Sequence, residues 1–224
     1  MALRSAFTMP LLLCLTTGIA AAQPPDAFLS VLDKFSQTFQ SAKATIRSIV
    51  HNQGIPDDDI QTGTFLVKRE GKKTQIRIDF ADPNAYSVFF NENSADIYHP
   101  KLNEMDEYDL RAYKDTATKL SLLGFGMKGS EIAANYDIQK FTHDTVNGQA
   151  ATHMDLIPKS PDVLKQIKSI EVWISDSTLC PVRQIFHMRD GGSRTAEFSA
   201  MEVNPKLPGN TFDLPKGAKR VKMN

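Results

Sequence analysis

Three glycines in the middle of the chain match the spacing of a nucleotide-binding loop. Gly124, Gly126 and Gly129 are arranged as G-x-G-x-x-G, which holds a dinucleotide phosphate when a strand precedes it and a long helix follows. Here the preceding residues have a helical pattern and short alternating strands surround them, so no parallel sheet is expected to support such a loop. We interpret these glycines as flexible positions beside a mobile lid.

The five histidines do not form a metal-binding motif. His51, His99, His143, His153 and His187 lie in separate predicted strands or turns. None is in H-x-x-x-H spacing and no pair of cysteines accompanies them, so the spacing predicts no metal site. We therefore expect neither a metal nor another cofactor.

The candidate nucleophiles and acidic clusters do not form a recognisable active site. Ser193 follows two glycines in a predicted turn, where serine is common. Cys180 precedes a proline at the start of an apolar run without a neighbouring base, so we expect a small buried hydrophobe. The consecutive acids at 57–59 lack the alternating ligand spacing of an EF-hand. These patterns favour a protein that is not an enzyme.

The N-terminus has the pattern of a secretory signal peptide. Arg4 gives a short positive region, 9–19 are apolar, and the alanines at 20–22 provide a small-residue cleavage site. An uncleaved anchor is the alternative, but a spanning helix needs roughly 20 apolar residues. Cys14 follows a large leucine, whereas a lipidated cysteine requires a small residue before it. We therefore predict an exported, soluble, non-lipidated protein of the periplasm.

Length and charge limit the class of the mature protein. Removal of a signal peptide at 1–22 leaves 23–224, which is long enough for one large domain with a substantial core. The chain has 26 lysines and arginines and 26 aspartates and glutamates, whereas proteins that hold polyanions usually have a basic excess. We predict one domain and no nucleic-acid partner.

A single helix is predicted at the start of this domain, followed by strands. From about 26 to 42, apolar residues recur at spacings of three and four, and after 44 the period changes to two. A helical stretch at 110–123 interrupts the strands, and Asn147-Gly148 is a strong hairpin signal. The pattern predicts about ten or eleven antiparallel strands. We predict a mainly β (α+β) fold, in which one strongly curved antiparallel sheet wraps towards a barrel with helices on its concave face.

Five sequence blocks, in order, resemble those of the LolA-like lipoprotein carriers. The blocks are GTFLVKR at 63–69, IYHP at 97–100, LL at 122–123, LIPK at 156–159 and FDLPKG at 212–217. They cover nearly the whole mature chain. The resemblance implies an incomplete antiparallel β-barrel covered by an N-terminal helix and a central helical lid. It also implies that acyl chains of lipoproteins are held in an apolar cavity and carried across the periplasm.

The resemblance assigns a specific role to one arginine. Arg69 occupies the position of the family arginine that binds lid backbone in the closed state and releases it when lipid enters. A guanidinium has five donors and can hold free carbonyls at a helix end. Glu70 replaces the family proline, and its carboxylate is positioned in sequence to compete for Arg69. The residues from 111 to 129 also differ from the best-known carriers, which leaves docking to a transporter or receptor open.

The cavity is expected to be lined by apolar side chains from the helix, the strands and the lid. The predicted lining residues are Phe28, Leu32, Phe35 and Phe39 from the helix, Ile76, Ile78, Phe80, Phe89 and Trp173 from strands, and Leu120, Leu123 and Phe125 from the lid. A shift of one residue reverses the face of a strand. Trp173 alternates with Val172 and Ile174, so either face of that strand is compatible with the pattern.

The sequence therefore predicts a monomeric periplasmic carrier of acylated lipoproteins or related lipids. The resemblance implies, as further partners, an inner-membrane lipoprotein-releasing transporter and an outer-membrane receptor. The main alternative is a lipid-sensing or lipoprotein-sensing scaffold on the same fold. A lipid hydrolase is a third possibility, but it requires a nucleophile beside a base.

Overall fold

A computed structural model describes residues 25–71, 73–91, 93–113, 120 and 122–223. The predicted signal peptide at 1–22 lies outside these residues, as do 114–119 and 121 of the predicted lid helix. None of the helices in the described residues is long and apolar enough to cross a membrane.

Twelve strands and three α-helices make up the described part of the chain. The helices are α1 (Pro25–Thr38), α2 (Gly129–Asn135) and α3 (Pro161–Leu164), with a 3-10 helix at Arg111–Tyr113. The strands are β1 (Ser41–His51), β2 (Asp59–Glu70), β3 (Lys73–Phe80), β4 (Tyr86–Phe90), β5 (Ser94–His99), β6 (Glu104–Asp109), β7 (Tyr136–Val146), β8 (Gln149–Pro158), β9 (Ile167–Ser175), β10 (Pro181–Met188), β11 (Ser193–Val203) and β12 (Lys219–Met223).

All twelve strands form one sheet with two free edges. Its order is β12-β6-β5-β4-β3-β2-β1-β11-β10-β9-β8-β7, so β12 and β7 are the edges. Consecutive strands pair in antiparallel fashion from β1 to β6 and again from β7 to β11. β11 pairs with β1 and so joins the two halves. The predicted curved antiparallel sheet that does not close into a barrel is confirmed.

One edge of the sheet departs from the antiparallel prediction. β12 pairs with β6 in parallel, with Lys219 in register with Glu104. The parallel direction arises because residues 204–218 carry the chain from β11 across to the far edge. The Lys219 ammonium donates to Glu104 across this edge at 2.9 Å, and Arg220 pairs with Glu107.

Helix α1 is shorter than its sequence pattern indicates. The apolar period extends to about residue 42, yet the helix ends at Thr38 and β1 begins at Ser41. Asn204 at the end of β11 explains the early end. Its side-chain amide donates to the Thr38 carbonyl at 3.0 Å, while its oxygen accepts from the Gln40 and Ser41 amides at 2.7 and 3.2 Å. A partner distant in sequence thus ends the helix, and the local pattern gives no sign of it.

The core lies between the concave face of the sheet and the segments that it wraps. In α1, Phe28, Leu29 and Leu32 are buried against the sheet. The buried strand residues of the same cluster are Ala42, Ala44, Ile46, Phe65, Val67, Ile76, Met154, Leu156, Ile170, Val172, Ile174 and Phe198. A second, smaller cluster on the sheet contains Val146, Ala151, Trp173 and Val182. On strands β8 and β9, the residues of the main core and those of the smaller cluster lie on opposite faces of the sheet.

Candidate functional site

Residues 122–127, here called the inserted segment, fill the concavity of the sheet. The side chains of Leu122, Leu123, Phe125 and Met127 are all buried in the main core, with Leu123 0 % and Phe125 1 % exposed. The Phe125 ring stacks on Phe65 of β2 at 4.5 Å between centroids. The segment therefore occupies the space that the curved sheet encloses, although it is neither strand nor helix.

Two polar side chains from the sheet hold the backbone of this segment. Arg69, at the end of β2, donates to the Gly126 carbonyl at 2.8 Å and to the Ser36 carbonyl of α1 at 3.3 Å. The buried Gln184 amide of β10 donates to the Leu123 carbonyl at 2.5 Å. Carbonyls in an irregular buried segment need such partners, because an unsatisfied buried polar group costs roughly 1–3 kcal/mol. The segment is thus attached by contacts that can be removed one at a time.

The Arg69 guanidinium is partly buried and lies near the carboxylate of Glu131. Burial lowers the pKa of its guanidinium, and the Glu131 carboxylate acts in the opposite direction. The guanidinium also lies over the Phe39 ring, 5.5 Å from the centroid. Arg69 thereby contacts both α1 and the inserted segment. Its gating role remains a prediction.

Glu70 does not compete for this arginine. Its carboxylate pairs with Lys68 on the same strand, and this hydrogen bond lowers the pKa of the exposed Glu70 carboxyl. Residues two apart on a strand share a face, whereas adjacent residues point to opposite faces. The expectation that Glu70 competes with the lid backbone for the Arg69 guanidinium is therefore wrong, because Glu70 pairs with Lys68 instead.

The central glycines permit close packing and a backbone conformation with positive φ. Gly126 has φ +64°, and a Cβ at this position would lie 2.3 Å from the Phe39 ring. Gly129 packs so tightly on α1 that a Cβ would lie 2.0 Å from the Leu29 carbonyl oxygen. A helix of seven residues and then β7 follow, in place of the strand–loop–long helix unit of a nucleotide site. The glycines belong to the inserted segment and its junction with α1.

Ten of the twelve predicted lining residues lie in or against the main core. The buried ones are Phe28, Leu32, Phe39, Ile76, Leu123 and Phe125, and the partly buried ones are Phe35, Ile78, Phe80 and Leu120. Their role in ligand binding remains a prediction. Sequence reasoning missed Leu29, Met154 and Gln184, and the last is a polar residue that no apolar pattern could have indicated.

The other two predicted residues, Phe89 and Trp173, face away from the concavity. Phe89 pairs across strands with Arg77, whose guanidinium lies 5.2 Å above its ring, so Phe90 faces the core instead. Trp173 lies in the smaller cluster and stacks on His153 at 4.0 Å, while its neighbours in sequence face the main core. Both placements are corrected. Each residue has apolar neighbours in the chain, so alternation does not determine its face.

A cavity of about 340 Å³ lies beside α1. It is lined by Phe28, Val31, His143, Thr152, Asp176 and Leu179. Val31 is 40 % exposed beside this cavity. A larger groove of about 680 Å³ at the β6–β12 edge is lined mainly by polar and charged side chains. The cavity beside α1 has three apolar and three polar lining residues, so it is the less polar of the two.

One buried thiol and one cluster of three side chains also bear on chemistry. Cys180 is fully buried, and burial raises the pKa of its thiol to about 12, so it is protonated at neutral pH and is not a nucleophile. His153, Asp155 and Glu171 offer donor atoms that lie within 4.8 Å of one another and could hold a metal ion. The burial of Cys180 agrees with the prediction of a small buried hydrophobe. The spacing of the histidines in the sequence did not predict the grouping of His153 with the two carboxylates.

The fold and the concavity define a class of protein, in which an open, strongly curved sheet wraps helices and an apolar interior. The solved structures that share this fold include the following two. One is an uncharacterized conserved protein from Thermus thermophilus, with a TM-score of 0.56, 10% identity and coverage of 89% of this chain and 100% of that one. The other is MucB, with a TM-score of 0.53, 13% identity and coverage of 87% of this chain and 64% of MucB.

Sequence comparison finds a similar protein among the lipoprotein carriers. The chain is 25% identical over 220 residues to an outer-membrane lipoprotein carrier protein from Cupriavidus pinatubonensis, covering 93% of this chain and 95% of the relative. No family model matches the chain. The resemblance to LolA-like lipoprotein carriers that the ordered sequence blocks indicate is confirmed.

Proposed function

We propose that this protein is a periplasmic carrier that binds the acyl chains of lipoproteins, or of related lipids, in the concavity of its sheet. The observation that carries the proposal is the inserted segment. Leu123 and Phe125 fill an apolar concavity from an irregular segment that two side chains hold through its carbonyls. In this proposal, acyl chains replace those side chains when the segment moves out.

The energetics of such an exchange suit a reversible carrier. Each buried methylene contributes roughly 0.8 kcal/mol, so an acyl chain recovers the apolar contacts that the segment loses. The ligand shifts the equilibrium only by the difference between its affinities for the open and closed forms. Contacts that exist only in the closed form, such as the hydrogen bond from Arg69 to Gly126, therefore oppose the binding of acyl chains and favour their release.

The wider proposal follows from the carrier relative and the sequence. We propose that residues 1–22 direct export, that the mature domain at 23–224 acts as a monomer without catalysis, and that cargo moves towards the outer membrane. An inner-membrane lipoprotein-releasing transporter and an outer-membrane receptor are the proposed partners. The similarity to an outer-membrane lipoprotein carrier protein supports this direction.

Native mass spectrometry of the mature protein from its own periplasm tests the function. We expect bound acylated peptide or phospholipid that is released by lipid extraction, and saturable binding of a synthetic acylated peptide by the stripped protein. A clean ligand-free mass combined with no binding of the acylated peptide would contradict the carrier. That result would leave the fold intact and favour the sensing scaffold.

Loss of the Arg69 contacts should strengthen ligand binding. Arg69→Leu removes the donors to Gly126 and Ser36, and hydrogen bonds to charged groups are worth about 1.5–3 kcal/mol. The closed form loses stability that the open form does not lose. We therefore expect the affinity for a fluorescent acylated peptide to rise by about tenfold, since roughly 1.4 kcal/mol is a factor of ten.

Arg77→Leu is the matched control for this measurement. Arg77 lies on the adjacent strand β3, donates to the Thr211 carbonyl at 2.8 Å and covers a phenylalanine ring, but on the convex face. It should lower stability without raising affinity. Equal effects of the two variants on binding would contradict a latch at Arg69.

A further inference from the structure

A cluster of two histidines and two carboxylates lies on the convex face of β8, β9 and β10. His153 Nε2 is 2.8 Å from Asp155 Oδ1 and 3.0 Å from Glu171 Oε2. His187 Nε2 is 2.7 Å from the other oxygen of Glu171. His153 and Asp155 are two residues apart on β8, and strand pairing brings Glu171 of β9 and His187 of β10 beside them on the face opposite the concavity.

The two carboxylates form a like-charge pair, and no lysine or arginine of the described residues forms an ion pair with either of them. Asp155 and Glu171 are direct cross-strand neighbours, an arrangement that is destabilising for equal charges. Within the described residues, their ion pairs are all to imidazoles. Arg183, the arginine nearest in register, is paired with Glu197 at 2.9 Å. Lys140 is in register with Asp155 on β7, but the described ion pairs do not include it.

One oxygen of the cluster has no hydrogen-bond donor among the residues that the structure describes. Asp155 Oδ1 is shielded from solvent and accepts no hydrogen bond from them, although the His153 ring nitrogen is close. That nitrogen carries at most one proton, and its hydrogen-bond geometry is towards Glu171. A buried acceptor beside a second carboxylate, with a nearly buried imidazole between them, is an arrangement that a cation can satisfy.

We propose that His153, Asp155 and Glu171 bind a divalent transition-metal ion, with zinc as the best match. Nitrogen and carboxylate donors at about 2.0–2.2 Å are zinc ligands, and tetrahedral geometry places them about 3.4 Å apart. The observed separations of 2.8 and 3.0 Å need to widen by only about half an ångström. The charge of the ion balances the two carboxylates.

The surroundings complete such a site. His187 contacts the second oxygen of Glu171 and orients that carboxylate, as outer-shell partners of metal ligands do. Asp155, Glu171 and His187 are only partly buried, which gives the ion a path from solvent and leaves a position for water. The bound ion would fasten β8 to β9 on the face away from the cargo, so this inference is independent of the proposed carrier function.

The only tryptophan of the chain reports directly on this site. Trp173 stacks on His153 with 4.0 Å between centroids and an angle of 2° between the rings. We expect zinc chloride, added to the untagged mature protein, to change tryptophan fluorescence saturably at one equivalent. Isothermal titration calorimetry should give the same stoichiometry, and zinc should raise the melting temperature because it binds the native state. Magnesium and calcium prefer oxygen ligands and should have no effect at equal concentration.

Isosteric variants separate ligands from neighbours. Asp155→Asn and Glu171→Gln should each weaken zinc binding by at least about tenfold, and His187→Asn by about tenfold. Asp144→Asn is the matched control, because Asp144 accepts from the Trp173 indole at 2.8 Å and interacts with His153 through charge alone, without being one of the proposed ligands. It should alter the starting fluorescence and weaken zinc binding much less than the ligand variants do. Absence of saturable zinc binding by the wild-type protein, or equal affinity in the Asp155→Asn variant, would overturn the proposal.

Discussion

Replacement of Phe125 by alanine is expected to destabilise the ligand-free protein while it strengthens the binding of acyl chains. The ring is 1 % exposed, stacks on Phe65 and meets Phe198 edge-on at 5.0 Å between centroids. Truncation of a buried phenylalanine costs about 3–5 kcal/mol. In the proposed mechanism most of this cost falls on the closed form, because acyl chains take the place of the ring in the open form.

The two effects are measured separately. Urea unfolding of the ligand-free variant should show a loss of up to this amount, limited by the free energy needed to open the inserted segment. Titration with a fluorescent acylated peptide should show an affinity at least about tenfold above wild type, which needs only about 1.4 kcal/mol of the loss. A coordinated fall in stability and rise in affinity is the signature of a side chain that competes with the ligand.

Ile170→Ala provides the comparison for this experiment. Ile170 is fully buried in the same core, but it lies on β9 and remains part of the wall in both forms. Its truncation should cost about 2–5 kcal/mol and should not raise the affinity. If Phe125→Ala weakens binding as Ile170→Ala does, the inserted segment is permanent core and the competition model is wrong.

Gly126→Ala should have the second large effect, because it prevents the closed form. The new Cβ would lie 2.3 Å from the Phe39 ring at a backbone φ of +64°. The positive φ alone costs about 1–2 kcal/mol, and the clash forces the segment or the ring to move. The Gly126 carbonyl would then lose its position beside Arg69. We expect faster amide hydrogen exchange across 122–127 and tighter binding of the acylated peptide.

Gly148→Ala separates the clash from the backbone penalty. Gly148 has φ +77° in the β7–β8 turn, and nothing lies within 4 Å of a Cβ built there. This variant should lose a similar backbone contribution to stability without any change in hydrogen exchange at 122–127. If both variants change exchange at 122–127 alike, then Gly126 does not control closure.

Local pattern predicted a large part of this architecture. The stripe of Phe28 and Leu32 predicted a helix packed on the sheet, and both residues are buried there. Period-two segments predicted the curved antiparallel sheet, since alternation is a property of each strand by itself. Asn147-Gly148 predicted a hairpin, and both residues have the positive φ that the turn requires. The ordered blocks indicated a resemblance to LolA-like carriers, and the 25% identity to an outer-membrane lipoprotein carrier protein confirms that resemblance.

Tertiary structure decided the remaining features, because each depends on a partner distant in the chain. Phe89 and Trp173 have apolar neighbours, so only pairing with Arg77 and stacking on His153 fix the face of each. The end of α1 depends on Asn204, some 166 residues beyond the carbonyl that it binds.

The same reason applies to both candidate sites. An irregular segment has no period, so its insertion into the concavity is visible only from the contacts of Phe125 with strands of the sheet. The histidines show no metal spacing along the chain, yet strand register places His153 and His187 around Glu171. Sequence determined which segments form strands and helices, through the local periodicity of their apolar residues. Packing between distant segments determined which side chains meet.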